Sequence, residues 1–216
     1  AKDNINRNIT DIRFFETTKT FKRVEGKIEE EQKFGIILGG EPEKYIWNVK
    51  PVPYDFYDLK GIVEEIFSKI RFEKYTLVRT TKESYHPGRA ADIYVGKEYI
   101  GTFGELHPDV IENFDLKKKL LTAELRLEAL IKYSDKNIFF KGINKFPAVP
   151  RDLALVMEEN ILVGDVIKSI SKISPVIEKI ELFDVYQGAG VEAGKKSIEI
   201  RIVLREKNKT LEENEI

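Results

Sequence analysis

Cysteine is absent from the 216 residues, which excludes disulfides, thiolate zinc sites and a cysteine nucleophile. Histidine is nearly absent: only His86 and His107 occur. Glu105-Leu-His107 brings two possible metal ligands together, short of the roughly three protein ligands a metal site ordinarily uses, so no metal site is expected. No apolar run approaches the ~20 residues of a membrane span, and no signal-peptide pattern opens the chain. The expectation is a soluble, cytoplasmic protein with no membrane partner. An excess of charge is missing as well. Lys and Arg number 36 against 37 Asp and Glu, a formal charge of −1. The balance is 25 against 24 before residue 144 and 11 against 13 from there on. Any contact with nucleic acid therefore has to come from a local patch rather than bulk charge.

What is present is a chain long enough for one large domain or two small ones, 42% apolar and 34% charged. "DIRFFETTKTF" (11–21) and "KFGIILGG" (33–40) read as strands, rich in aromatic and β-branched residues. "YDFYDLKGIVEEIFSKI" is the clearest helix. Leu59, Ile62, Val63, Ile66, Phe67 and Ile70 make one apolar stripe, and Asp55 is its N-cap. "YTLVRT", "AADIYV" and "YIGTFGEL" follow as strands, the last two joined by a short turn. "HPDVIENF" starts a helix at Pro108, which His107 caps, while His86 shapes the "HPGR" loop. "KLLTAELRL" places Leu121, Ala123, Leu125 and Leu127 on one strand face. Trp47 and the aromatic strands are assigned to core or to a subunit interface.

The stretch 133–152 carries charge, Gly142, Pro147 and Pro150 without a sustained period, and reads as a boundary. It divides the chain into 1–143 and 144–216. Beyond it, "LALVM" is a strand. "LVGDVIKSISKI" is a helix with Leu162, Val166, Ile167, Ile170 and Ile173 on one side. "VIEKIELFDVY" and "KSIEIRIVLRE" are strands, and Thr210 with Glu213 makes a capping box for a last helix. Strand–helix–strand–strand–helix is a ferredoxin-like order without its last strand. The expected fold class is α+β.

"GAGVEAGKKS" (188–197) holds the components of a phosphate loop. Such a loop needs Gly-x-x-x-x-Gly-Lys-Ser/Thr between a strand and a helix. Here Ala189 stands five before Gly194, and Lys196 replaces the hydroxyl. Downstream, Ile198, Ile200, Ile202 and Leu204 alternate with Ser197, Glu199, Arg201, Val203 and Arg205, a strand period. No helix N-terminus follows to meet a phosphate. The segment reads as a hairpin turn.

The faces of that hairpin carry more information. Ile180 and Leu182 share one parity while Phe183 and Val185 share the other, so a β-bulge is expected near Leu182–Phe183. With the bulge, Phe183 and Val185 return to the core. Asp184 and Tyr186 then turn to an open face with Ala154, Ser197, Glu199 and Arg201. A small residue, an aromatic, a carboxylate and a hydroxyl on one sheet face suit the stacking and edge reading of RNA bases. The same pattern also describes an ordinary solvated sheet face.

Longer stretches resemble a known family. Phe146-Pro-Ala-Val-x-Arg151-Asp152-Leu-Ala, the run Leu182 to Tyr186, Gly194-Lys195-Lys196-Ser197 and Thr210-Leu211 together resemble the ferredoxin-fold anticodon-binding domain of the bacterial phenylalanyl-tRNA synthetase β subunit. "FFETTKTF", "DFYDLKGIVEEIF" and "HPGRAADIYVGKEYIGTFGELHPDV" are similar to the catalytic-like core of the same subunit. The resemblance covers essentially the whole chain. It departs at Thr17-Thr18, where the family usually has Ile-Gly. The resemblance also implies a core lacking its opening helix and an anticodon domain that is C-terminally incomplete.

The resemblance implies a class II synthetase-like antiparallel sheet followed by an anticodon-binding domain, in an (αβ)2 ligase whose α subunit catalyses aminoacylation. ATP and Mg2+ then belong to the holoenzyme, and this chain contributes no catalytic residue. The sequence agrees in lacking Gly-x-Gly-x-x-Arg, the class II ATP signature; Arg-x-Glu at Arg71 and Arg126 is too short to signify. Carried over residue by residue, the family's contacts to the tRNA(Phe) anticodon fall on Ala154, Asp184, Tyr186 and Ser197. Lys195, Lys196, Arg201 and Arg205 are candidate phosphate contacts. A scaffold with no RNA contact and a nucleotide-dependent enzyme using Gly194-Lys195 are the alternatives.

Overall fold

The structure is a computed structural model and describes all residues except 43–46, 49, 138, 139, 141 and 216; of Asn214 only the backbone is described. The backbone packs as two units, Ala1–Ile138 and Phe139–Ile216. The first runs α1 (Lys2–Asn6), β1 (Asp11–Val24), β2 (Lys27–Gly40), α2 (Phe56–Lys69), β3 (Thr76–Arg79), β4 (Tyr85–Val95), β5 (Glu98–Leu106), α3 (Pro108–Asn113), β6 (Leu120–Arg126) and α4 (Leu127–Tyr133). Its strands form one antiparallel sheet in the order β1-β2-β6-β5-β4-β3.

α2 begins where the sequence says it should. The Asp55 carboxylate accepts from the N–H groups of Tyr57 (2.7 Å) and Asp58 (3.1 Å), and Asp58 accepts from the Asp55 N–H at 2.8 Å. This closes a reciprocal cap on orphan donors of the first turn. One turn on, the apolar stripe takes over: Leu59, Val63 and Phe67 are buried against Ile36, Leu38, Ile93, Phe103, Leu121 and Leu125 of the sheet. Each such side chain contributes about 1.5–3 kcal/mol on leaving water. Ile62, Ile66 and Ile70 pack at the margin of the same core.

Leu121, Ala123 and Leu125 are buried along β6, but Leu127 is the first residue of α4 rather than another strand position. Leu-Glu-Ala-Leu-Ile-Lys favours helix, and Ala129 and Leu130 are buried by the turn. Trp47 is 97% exposed and is not core. Between Tyr85 and Ala90 the β4–β5 ladder slips. There Gly104, at φ +154°, comes so close to β4 that a Cβ would lie 2.4 Å from that of Ala90.

The second unit holds β7 (Val149–Glu158), α5 (Val163–Ile170), β8 (Ile177–Tyr186) and β9 (Lys195–Leu204), with the antiparallel order β7-β9-β8. Ile198, Ile200, Ile202 and Leu204 of the central strand are buried on one face, against Val163, Val166 and Ile170 of α5 and Leu155, Ile180 and Leu211. α5 is shorter than its apolar pattern. Leu162 is its extended N-cap and Ile173 follows its last turn, and both are exposed. The expected helix at Thr210–Glu213 is instead a 3-10 turn, Glu213–Glu215. Here the Glu215 carboxylate accepts from the Glu212 N–H and pairs with Lys209, holding the tighter turn from its C-terminal side.

Candidate nucleic-acid interface

α5 covers one face of the three-stranded sheet, and the other face is built in cross-strand rows. β9 is central, so each of its outward residues lies between a β7 and a β8 neighbour. The first row is Val156, Ser197 and Tyr186; the second is Ala154, Glu199 and Asp184; the third is Asp152, Arg201 and Glu181. The four expected base contacts, Ala154, Asp184, Tyr186 and Ser197, thus share two adjacent rows. Ala154, Asp184 and Tyr186 are exposed and Ser197 is half-buried.

The bulge falls where the parity slip points. Leu182 pairs with Ile200 and Asp184 with Glu199, leaving Phe183 as the extra residue. Its effect on Phe183 differs from the expectation. A bulge directs two consecutive side chains to roughly one side, and here Phe183 goes out with Asp184. Phe183 is 51% exposed, and its ring centroid lies 5.6 Å from the Arg201 guanidinium. Val185 shares the register face of Ile198 but is 48% exposed on the edge strand.

Tyr186 is held by the β8–β9 loop. Its hydroxyl donates to the Ala189 carbonyl at 3.2 Å, and its ring lies over Gly188. A Cβ at Gly188 would meet the Tyr186 hydroxyl at 2.7 Å and Cζ at 3.0 Å, so the ring's seat requires glycine. The Asp184 carboxylate accepts from the Val185 N–H at 2.8 Å. Its cross-strand neighbour is Glu199, and two like charges side by side oppose folding. They also disfavour a phosphate there and favour the donor edge of a base.

The four candidate phosphate cations all have partners within the chain. Arg201 forms a two-pronged pair with Asp152, Nε and Nη2 donating at 2.7 and 2.8 Å. The hydrogen bonds from Arg201 hold the Asp152 carboxyl below its ordinary range, and Asp152 raises Arg201 in return. Lys195 pairs with Glu192 at 2.6 Å. Lys196 donates to the carbonyls of Glu159 (2.8 Å) and Ile161 (2.6 Å), bracing the β7–α5 loop. Arg205 binds Glu178 and the Phe146 carbonyl.

Gly194, at φ +82°, closes a turn, and Lys195 begins β9 directly. The geometry of a phosphate loop is therefore not formed. Both histidines serve local turns: His86 Nδ1 accepts from the Gly88 N–H at 3.1 Å and His107 Nδ1 from the Asp109 N–H at 3.3 Å. Among the described residues no group of three or more His, Asp or Glu is placed to hold a metal. Phe183 is the open-face residue that the sequence pattern misassigns, because it has the bulge return this ring to the core.

Fold and surface together define an α+β protein of two antiparallel-sheet units, the second with an uncovered, aromatic-bearing face. Two family models match it: the phenylalanyl tRNA synthetase beta chain CLM domain over residues 1–127 and the ferredoxin-fold anticodon binding domain over 144–216. The chain belongs to the phenylalanyl-tRNA synthetase β-chain family. It is 45% identical, over its whole length, to the phenylalanine–tRNA ligase beta subunit of Fusobacterium nucleatum, of which it covers 28%. To that of Clostridium tetani it is 36% identical, over 99% of this chain and 26% of the relative. The chain thus spans about a quarter of the length of these relatives. Among solved structures, the pyrrolysyl tRNA synthetase of Desulfitobacterium hafniense aligns with a TM-score of 0.44 at 16% identity, over 60% of this chain and 44% of that one.

Proposed function

We propose that this chain is a non-catalytic portion of a phenylalanine–tRNA ligase β subunit. In this reading residues 144–216 bind the anticodon of tRNA(Phe), and residues 1–143 pack on the α subunit of a cytoplasmic (αβ)2 enzyme. The observation that carries it is the gathering of Ala154, Asp184, Tyr186 and Ser197 in two adjacent rows of one uncovered face. Tyr186 stacks a base, Asp184 accepts from a base edge, Ser197 bonds a second base, and Ala154 leaves room for the strand. Of the cations, Arg201 keeps Nη1 outside its pair with Asp152 and is the best placed for a phosphate. Lys196 and Arg205 serve the domain's own loops first.

An apolar groove on the first unit supports the α-subunit contact. Phe15, Phe34, Ile62 and Ile66 line a cavity of about 320 Å3, and Phe15 is 76% exposed. ATP and Mg2+ serve the assembled ligase, but the described residues of this chain do not fit them. The Gly194 turn runs into a strand, and the described acidic residues are not clustered for a metal. No described helix is long and apolar enough to cross a membrane.

Fluorescence titration with tRNA(Phe) tests the reading. Tyr186→Ala weakens binding by ~1–3 kcal/mol, the scale of base–aromatic stacking, and Tyr186→Phe by much less. An unchanged Kd for the alanine variant contradicts it.

A further inference from the structure

Phe183 is an aromatic ring that the sequence pattern returns to the core by way of the bulge. The bulge at Leu182/Asp184 places it instead on the face that carries Tyr186, half-exposed and 5.6 Å from the Arg201 guanidinium. Asp152 grips that guanidinium by Nε and Nη2 and so fixes its plane across β7 and β9. Ring and guanidinium are both planar surfaces on which a nucleobase stacks. We propose that Phe183, backed by Arg201, is a second base-stacking platform on this sheet, separate from Tyr186; the inference rests on the anticodon reading above. Three residues along β8 separate the two rings by ~10 Å, about three times the ~3.4 Å spacing of stacked bases. The rings therefore hold two bases that are not stacked on each other. Between them lies the row of Ala154, Glu199 and Asp184, whose carboxylates meet base edges rather than faces.

The test uses the full 216-residue chain and RNA stem-loops of the tRNA(Phe) anticodon arm, with 2-aminopurine at one loop position at a time. Wild type quenches the probe at two loop positions. Phe183→Leu abolishes one of the two and raises Kd about 5- to 100-fold. The slope of log K against log salt stays the same, because no phosphate contact is lost. Tyr186→Leu abolishes the other position. Arg201→Lys, which keeps the charge but loses the plane, weakens quenching at the Phe183 position only. Because the Phe183 ring is half-exposed, its removal opens no core cavity, and equal thermal midpoints confirm the fold. If Phe183→Leu keeps both quenched positions and an unchanged Kd while Tyr186→Leu loses one, the second platform is refuted and the anticodon reading stands. Should wild type quench at no position, or Tyr186→Leu also be silent, both fall.

Discussion

Asp152 on β7 grips Arg201 on β9 by both carboxylate oxygens, at 2.7 and 2.8 Å, across the open face of the sheet. The hydrogen bonds keep the Asp152 carboxyl below its ordinary value. A lowered carboxyl pKa stabilises the fold above the unfolded-state value, and that contribution is lost as pH falls through the folded one. Both groups are exposed, so the contribution to stability is small. The pairing is best followed locally. In a carbon-13 NMR titration the Asp152 carboxyl resonance should move with a midpoint below that of an ordinary aspartate. In Arg201→Gln the midpoint should return to the ordinary value. An ordinary midpoint in the unsubstituted chain would show that the pair does not hold in solution.

The seat of Tyr186 gives a second expectation. Gly188→Ala pushes a methyl group to within 2.7 Å of the tyrosine hydroxyl, and the ring, being the movable partner, swings away. Binding of tRNA(Phe) should weaken by roughly 1 kcal/mol, at the low end of the stacking range. The thermal midpoint should hardly change, because the loop is exposed. Gly164→Ala, where a Cβ meets no atom within 4 Å, serves as the control. Equal affinities for both variants would mean that Tyr186 needs no fixed pose.

Alkaline behaviour follows from two tyrosines of the first unit. Burial pushes the hydroxyls of Tyr75 and Tyr85 up to about 12, with Glu64 beside Tyr75 adding to the effect. A raised phenol pKa contributes stability that is complete below the unfolded value near 10. It is lost as pH rises through the folded value. Ultraviolet titration should therefore show the Tyr75 and Tyr85 phenols ionising well above the ordinary tyrosine value, with unfolding of the first unit accompanying them. A single transition near pH 10 with the fold intact would contradict the burial of these rings.

The helix α2, its Asp55 cap and the bulge at Leu182/Asp184 were legible in the sequence because each has a local cause: a stripe, a capping carboxylate, a slip of parity. The grouping of Ala154, Asp184, Tyr186 and Ser197 was legible for the same reason, since alternation assigns faces once the bulge is located. The side taken by Phe183 was not, because the parity slip locates a bulge without saying which of its two residues turns outward. Leu127, Leu162 and Ile173 fit their apolar patterns but lie at element ends, where hydrogen bonding decides rather than periodicity. The partners of Arg201, Lys196 and Arg205 were also hidden. Asp152, the Glu159 carbonyl and Glu178 reach them only through the register of β9 with its neighbours.

The most direct measurement is a comparison of two RNAs, tRNA(Phe) and the same tRNA with all three anticodon bases exchanged, titrated against the 216-residue chain at low and physiological salt. Base reading by Asp184, Tyr186 and Ser197 predicts that the exchanged tRNA binds at least 10-fold more weakly at both salt concentrations, since phosphate contacts are common to both RNAs and only base contacts differ. Equal affinity for the two RNAs would contradict the account.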